Sequence, residues 1–250
     1  MSNIFKLIFF SLSILMPANL ALADDVWVGE VTEKALECGI SPYLIEQLKL
    51  SEGHAEVEEQ YKVALLASLI NACNHGLPVR PFELKLTEGL SKQVHPSKIV
   101  VVMDRMRLKY IEAQSILEAG TDNDDPELLT IVGDGLVNGV SGEFFSTFID
   151  RHKDLQAPRF SIGLEMASYL VQYGFNQSYV NDIVDSYSIA SQIPPSWRYF
   201  IRVVIVARER GISDLAIKDA AIKGLQNSGS PNDVASLLGF TLRNMRGQSK

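Results

Sequence analysis

The chain has 250 residues, with 23 Lys and Arg against 30 Asp and Glu and a formal net charge of −7. Affinity for phosphate backbones comes chiefly from Lys and Arg, so this balance argues against nucleic acid as the main partner. The length suits one large helical domain or two fused halves.

The first 23 residues carry a single basic side chain, Lys6, then the apolar run Leu7–Met16, then Ala21-Leu22-Ala23 before Asp24-Asp25. This order predicts a cleavable secretory signal, 1–23, whose apolar run is too short to span a bilayer. Position 24 is Asp, so no cysteine stands there to be lipidated. Cleavage after Ala23 would leave 22 basic and 30 acidic side chains, a net charge of −8, in the periplasm or outside the cell. Further on, no uncharged apolar run approaches the roughly 18 residues a membrane helix needs, so no transmembrane span is expected in the mature chain.

Apolar residues at helical spacing predict helices near 28–38, 41–50, 55–74, 79–92, 96–119, 126–138, 141–153, 158–173, 176–190, 195–210, 213–227 and 231–246. Alternating apolar and polar runs bounded by hairpin turns are absent, so no sheet is expected. Five helices should stop at a glycine followed by an apolar residue: Gly39-Ile40, Gly76-Leu77, Gly139-Val140, Gly174-Phe175 and Gly211-Ile212. Ser41-Pro42, Asp125-Pro126 and Ser230-Pro231 read as helix starts, a cap followed by a proline in the first turn.

One stretch is written three times. Glu88–Arg105, Asp134–Arg151 and Lys223–Phe240 align without gaps, each with Gly-Leu near the end of one helix and an apolar stripe on the next. The stripes are Ile99, Val102 and Met103; Phe145, Phe148 and Ile149; and Val234, Leu237 and Leu238. Glycine inside a helix costs about 1 kcal/mol relative to alanine, so its recurrence points to a close crossing by a neighbouring helix, or else to a frayed last turn.

A longer repeat contains the short one. Gly39–Arg105 shifted by 135 residues falls on Gly174–Phe240, with nine of 67 positions identical and the apolar pattern better kept, as Leu65 with Phe200 and Ile70 with Ile205. Such self-similarity at a fixed offset predicts an all-α, curved, solenoid-like stack of about twelve helices with two related halves. The expected divisions are a first half at 24–120, connecting helices with the middle motif copy at 121–158, and a second half at 159–250.

Cys38 and Cys73 both fall just before a repeat glycine, while the matching positions of the second half are Tyr173 and Arg208. In an oxidising compartment the pair could form a disulfide; the alternative is two buried free thiols.

Candidate chemistry is sparse. The acidic link Asp122–Asp125 lacks the glycine and the bidentate Glu of an EF-hand, and the four histidines do not form the H-E-x-x-H spacing, so no metal or cofactor is expected. Glu165, flanked by apolar residues, is the candidate general acid if the chain cleaves glycans, although the shift pairs it with Glu30, as an ordinary helix-face position would be. Trp197, Arg198, Tyr199 and Arg202 form a possible contact surface, but Trp197, Phe200, Ile201 and Val204 also sit at the spacing of a core stripe. Arg105, Arg107 and Lys109, near Asp104 and Glu112, read as a salt-bridged solvent face.

Glu88–Ile99, E-G-L-S-K-Q-V-H-P-S-K-I, resembles a motif of uncharacterised secreted all-helical bacterial proteins that read like E-G-L-x-K-G-V-P-x-x-x-I, with Gln93 replacing the second glycine. The resemblance covers about 60 residues and implies a secreted helical-repeat fold without an activity or site residues. The third copy departs from the motif at Gly229, where valine is expected. The functional expectation is a non-catalytic helical-repeat module that binds a protein, a peptide or a cell-wall component. The alternatives are a glycan-active enzyme using a helix-borne Glu and a carrier of an apolar small molecule.

Overall fold

A computed structural model describes residues 29–49, 59–121 and 125–241. The expected signal at 1–23 and the acidic residues Asp122–Asp124 lie outside the described residues. Helix α1 occupies 29–37. It is followed by α2 (Pro42–Lys49), α3 (Glu59–Asn74), α4 (Val79–Ser91), α5 (Pro96–Gly120), α6 (Pro126–Val137) and α7 (Gly142–His152). Next come α8 (Ala157–Gln172), α9 (Gln177–Ile189), a 3-10 turn at Pro195–Tyr199, α10 (Ile201–Glu209), α11 (Asp214–Gln226) and α12 (Pro231–Leu237). Among the described residues there is no strand, and no helix is long and apolar enough to cross a membrane.

The five glycine stops form as the sequence predicts. Each glycine has a positive φ, from 68° at Gly76 to 91° at Gly139, and the N–H of the following apolar residue reaches back five residues, as Ile40 to Ala35 O (3.1 Å) and Phe175 to Leu170 O (2.9 Å). Among the expected starts, Asp125 caps α6 by accepting the Glu127 N–H at 2.8 Å, and the Asp233 carboxylate takes the Ser230 N–H at 2.7 Å.

Three departures have physical causes. The expected helix 231–246 ends at Leu237 because Gly239 (φ 83°) and Phe240 make the same stop, with Phe240 N–H on Ala235 O at 3.0 Å. Residues 195–210 divide, since Trp197 N–H and Phe200 N–H bond three residues back and form a 3-10 turn before α10. Val102 and Leu237, expected in the apolar stripes, are exposed, because each stripe meets its neighbours chiefly through its first residue, Ile99 or Val234.

That first residue explains the repeated glycine. A Cβ on Gly89 would lie 2.8 Å from Ile99 Cδ1, and one on Gly224 would lie 2.6 Å from Val234 Cγ2. A Cβ on Gly135 would overlap the Phe145 ring and come within 2.7 Å of Ser168 Oγ. In all three copies the residue ten places on crosses the glycine, so the motif encodes a tight helix pair. Gly135→Ala should therefore lose about 1–3 kcal/mol by overpacking, outweighing the roughly 1 kcal/mol of helix propensity gained. Urea unfolding checks this, and adding Phe145→Leu should recover part of the loss.

The core falls into two clusters that meet on α5. Ile99, Met103, Met106 and Tyr110 join the first, which begins at Ala35, while Ala113 and Leu117 join the second, which runs to Phe240. Helix α5 packs on α3, α4, α6 and α7, and α8 packs on α6, α9 and the 3-10 turn.

Cys38 and Cys73 form a disulfide with Cα atoms 5.8 Å apart, tying the end of α1 to the end of α3. At the matching positions of the second half, Arg208 donates to the backbone carbonyl of Tyr173 at 2.6 Å and to that of Gly174 at 3.3 Å, and its guanidinium is held by Asp214 at 2.7 Å. A covalent clasp in one place and a charge-assisted one in the other join the corresponding helix ends.

Candidate functional site

Helix α6 is apolar apart from a few positions, and Asp134 stands in it between two glycines. These glycines are what admit the acid's surroundings. A Cβ on Gly133 would strike the Tyr110 ring at 2.6 Å, so its absence lets that ring lie against the backbone of α6. Tyr110, wholly buried, thereby brings its hydroxyl to Asp134 Oδ1 at 2.6 Å. Burial and the neighbouring acid push the Tyr110 phenol far above its ordinary range, so it remains a donor at any working pH.

Opposite lies α8. Thr130, Asp134 and Asn138 fall four residues apart on α6, and Glu165, Tyr169 and Gln172 share one face of α8. With Ile131 and Ser168 these residues line a cleft of about 160 Å³. Both carboxyls are held above their ordinary pKa. For Asp134, burial raises it, while the Tyr110 hydrogen bond and the Lys85 charge oppose the shift. For Glu165, whose side chain is 17% exposed, burial raises it, Arg198 draws it down, Glu127 repels it upward and Tyr169 donates to it.

Arg198, on the 3-10 turn, closes one end. Its Nε lies 3.6 Å from Glu165 Oε2 and its Nη1 3.2 Å from Glu127 Oε1. Lys85 on α4, Asp134 on α6, Glu165 on α8 and Arg198 thus form a polar line across four successive packing elements.

The expected contact surface divides. Trp197 is 0% exposed, donates Nε1–H to Gly229 O at 2.9 Å, and packs on Phe200 with ring centroids 5.2 Å apart. It belongs to the core. Arg198 reaches the cleft, while Tyr199 and Arg202 are on the surface with the guanidinium 4.7 Å from the ring centroid. Glu165 lines a cleft whereas its counterpart Glu30 is exposed, so the two are not interchangeable helix-face positions. The basic stretch on α5 forms local pairs, Lys109 with Glu112 at 2.7 Å and Arg107 with Asp104 at 3.8 Å.

Asp134 was not singled out by any known motif. The available signal was an acid inside an apolar helix, flanked by glycines. A second cleft, of about 380 Å³, lies beside the start of α4 and is lined by Leu77, Pro78, Gln114, Glu118 and Leu129 among others. Among the described residues, no group of three or more His, Cys, Asp or Glu is placed to hold a metal ion.

The chemistry of the α6–α8 cleft gives a pH signature. A carboxyl whose folded pKa is raised contributes stability below its ordinary value, and that contribution is lost as pH rises through the folded pKa. Glu165→Gln should therefore raise the melting temperature at pH 7 and leave it nearly unchanged at pH 4, below the ordinary value of 4.5. Thermal melts at both pH values check this.

Compared with protein-family models, curated proteins and solved structures, the chain matches none.

Proposed function

We propose that this is an extracytoplasmic, non-catalytic binding module, a curved stack in which one multi-helix unit is used twice, with its ligand site in the α6–α8 cleft at the seam between the copies. The observation that carries the site is the pair of carboxyls kept in desolvating surroundings, at a cost in stability, along a cleft already shaped by glycines and fixed tyrosines. A protein surface, peptide or cell-wall component is the expected ligand class.

Several observations support the double use. Helices α9, α11 and α12 begin at Gln177, Asp214 and Pro231, each 135 residues after the start of α2, α4 and α5 at Pro42, Val79 and Pro96. Positive φ recurs at the same offset, at Gln93 (55°) and Ser228 (54°). The disulfide and the Arg208 clasp occupy matching sites. The disulfide also supports an oxidising compartment, in line with the secretory signal read from 1–23.

Isothermal titration of the purified protein with soluble cell-wall muropeptides tests the function. Binding that weakens in Asp134→Asn and Glu165→Gln, with far-UV dichroism unchanged, is the expected outcome; absence of binding, or binding indifferent to both substitutions, contradicts it.

A second reading is favoured by one observation, that Glu165 lines the cleft with its carboxyl shifted toward the protonated form, as a general acid for glycan cleavage requires. Release of new reducing ends from cell-wall glycan, abolished by Glu165→Gln, would replace the binding reading with this one.

A further inference from the structure

Resting on the reading of the α6–α8 cleft as a ligand site, we propose that what it recognises is a primary ammonium group on a short aliphatic stem, of the kind a lysine-type side chain carries.

The first ground is the direction of the hydrogen bonds around the cleft. Its lining donors are committed to their own framework: Thr130 Oγ1 to Pro126 O (2.9 Å), Asn138 Nδ2 to Asp134 O (2.8 Å) and Gln172 Nε2 to Ser168 Oγ (3.0 Å). Tyr110 is likewise spent on Asp134 Oδ1. What the lining has left to offer is mostly acceptors: the second oxygen of Asp134, the Glu165 carboxyl and the side-chain amide oxygens of Asn138 and Gln172. A ligand that satisfies them must bring several donors and, facing two carboxyls, positive charge. An ammonium carries three N–H donors and one charge on a single atom.

Size and the apolar wall agree. A volume of about 160 Å³ is the share of roughly five waters at about 30 Å³ each, the scale of an alkylammonium. Ile131 supplies apolar lining for methylenes beside the polar rows. An anion would meet two carboxyls, and a metal ion would find no cluster of three or more ligating side chains among the described residues.

The charges around the site set its pH response. Asp134 faces Tyr110 from α5, Lys85 from α4 and Tyr169 from α8, and Glu165 faces Arg198 from the 3-10 turn, Glu127 from α6 and Tyr169 on its own helix. Of these, Arg198 already pairs with both Glu127 and Glu165, and Lys85 pairs with Glu88 at 2.7 Å. Ammonium affinity should rise between pH 4 and pH 7, as the two carboxyls ionise.

The test is a titration of the full chain, followed by calorimetry and by the ring resonances of Tyr169. The probes are cadaverine, an Nα-acetylated lysine amide, the same compound acetylated at Nε, and N-acetylglucosamine. Both amines should bind, with the Nε-acetylated compound weaker by about tenfold or more, since its charge-assisted bonds are gone. Asp134→Asn should weaken the amines by a similar factor, and the Nε-acetylated probe gives the same contrast on the unaltered protein if that variant folds poorly. Tighter binding of the lysine amide than of cadaverine assigns the amine to a polypeptide, and the reverse assigns it to a free diamine. Binding of N-acetylglucosamine without the amines overturns the ammonium assignment and leaves the binding-module reading standing. Failure of all four probes, together with failure of muropeptides, overturns both.

Discussion

Replacing Trp197 with alanine should cost about 3–5 kcal/mol of folding stability, the range for deleting a large aromatic from a closed core. The indole is 0% exposed, and the turn that bears it packs on α8, α10 and α12. It also explains the third motif copy's departure from valine at position 229. A Cβ on Gly229 would press against Gly224 O at 3.1 Å and Asp233 Cβ at 3.3 Å, whereas the bare glycine offers its carbonyl to the indole N–H. Trp197→Ala thus removes a ring and leaves that carbonyl without its donor. Trp197→Phe, which keeps most of the ring but not the hydrogen bond, should cost less than half as much. Urea denaturation of the two variants gives the comparison. A loss below about 1 kcal/mol for Trp197→Ala would mean that the second core tolerates a cavity there, against the packing described.

Opening the Cys38–Cys73 disulfide is the other large effect. The bond closes a separation of 35 residues, which corresponds to about 3.8 kcal/mol on the chain-entropy estimate. Its loss should be felt unevenly. Helices α1–α3 and their cluster, from Ala35 to Tyr110, would lose their covalent tie, while the second cluster would keep the Arg208 clasp. Hydrogen exchange on Cys38→Ser/Cys73→Ser should therefore show protection falling in α2 and α3 well before α9 and α11. Arg208→Ala should reverse the order, with a smaller loss, because it removes charge-assisted hydrogen bonds and no covalent link.

Much of the helical framework was legible because its punctuation is local. A glycine followed by an apolar residue ends a helix through contacts confined to six residues, so Gly39, Gly76, Gly139, Gly174 and Gly211 could be read from the chain directly. The final helix was overextended where the same sign, Gly239-Phe240, was passed over in favour of the apolar residues beyond it. Helix rotation was less legible. Val102 and Leu237 fit the helical period of a buried stripe, yet whether a stripe is two or three residues wide depends on which neighbour covers it.

The cleft was the least legible feature, for a related reason. Tyr110 and Asp134 are 24 residues apart, and their bond depends on the absence of a side chain at Gly133, which spacing alone does not reveal. Glu165 was discounted because Glu30 occupies the matching position. The difference lies in what precedes each helix: α8 has α6 packed beside it, whereas α1 begins the described chain. A repeated residue can acquire a distinct environment at the seam where copies join.

The claim beneath the account is that one helical unit is used twice, with the cleft formed where the copies meet. Tyr173→Cys/Arg208→Cys tests it most directly, since these positions correspond to Cys38 and Cys73. Peptide mapping of the oxidised variant should recover a bond between positions 173 and 208 beside the native one, in a protein that still folds. Two free thiols at those sites under the same oxidising conditions would contradict the correspondence.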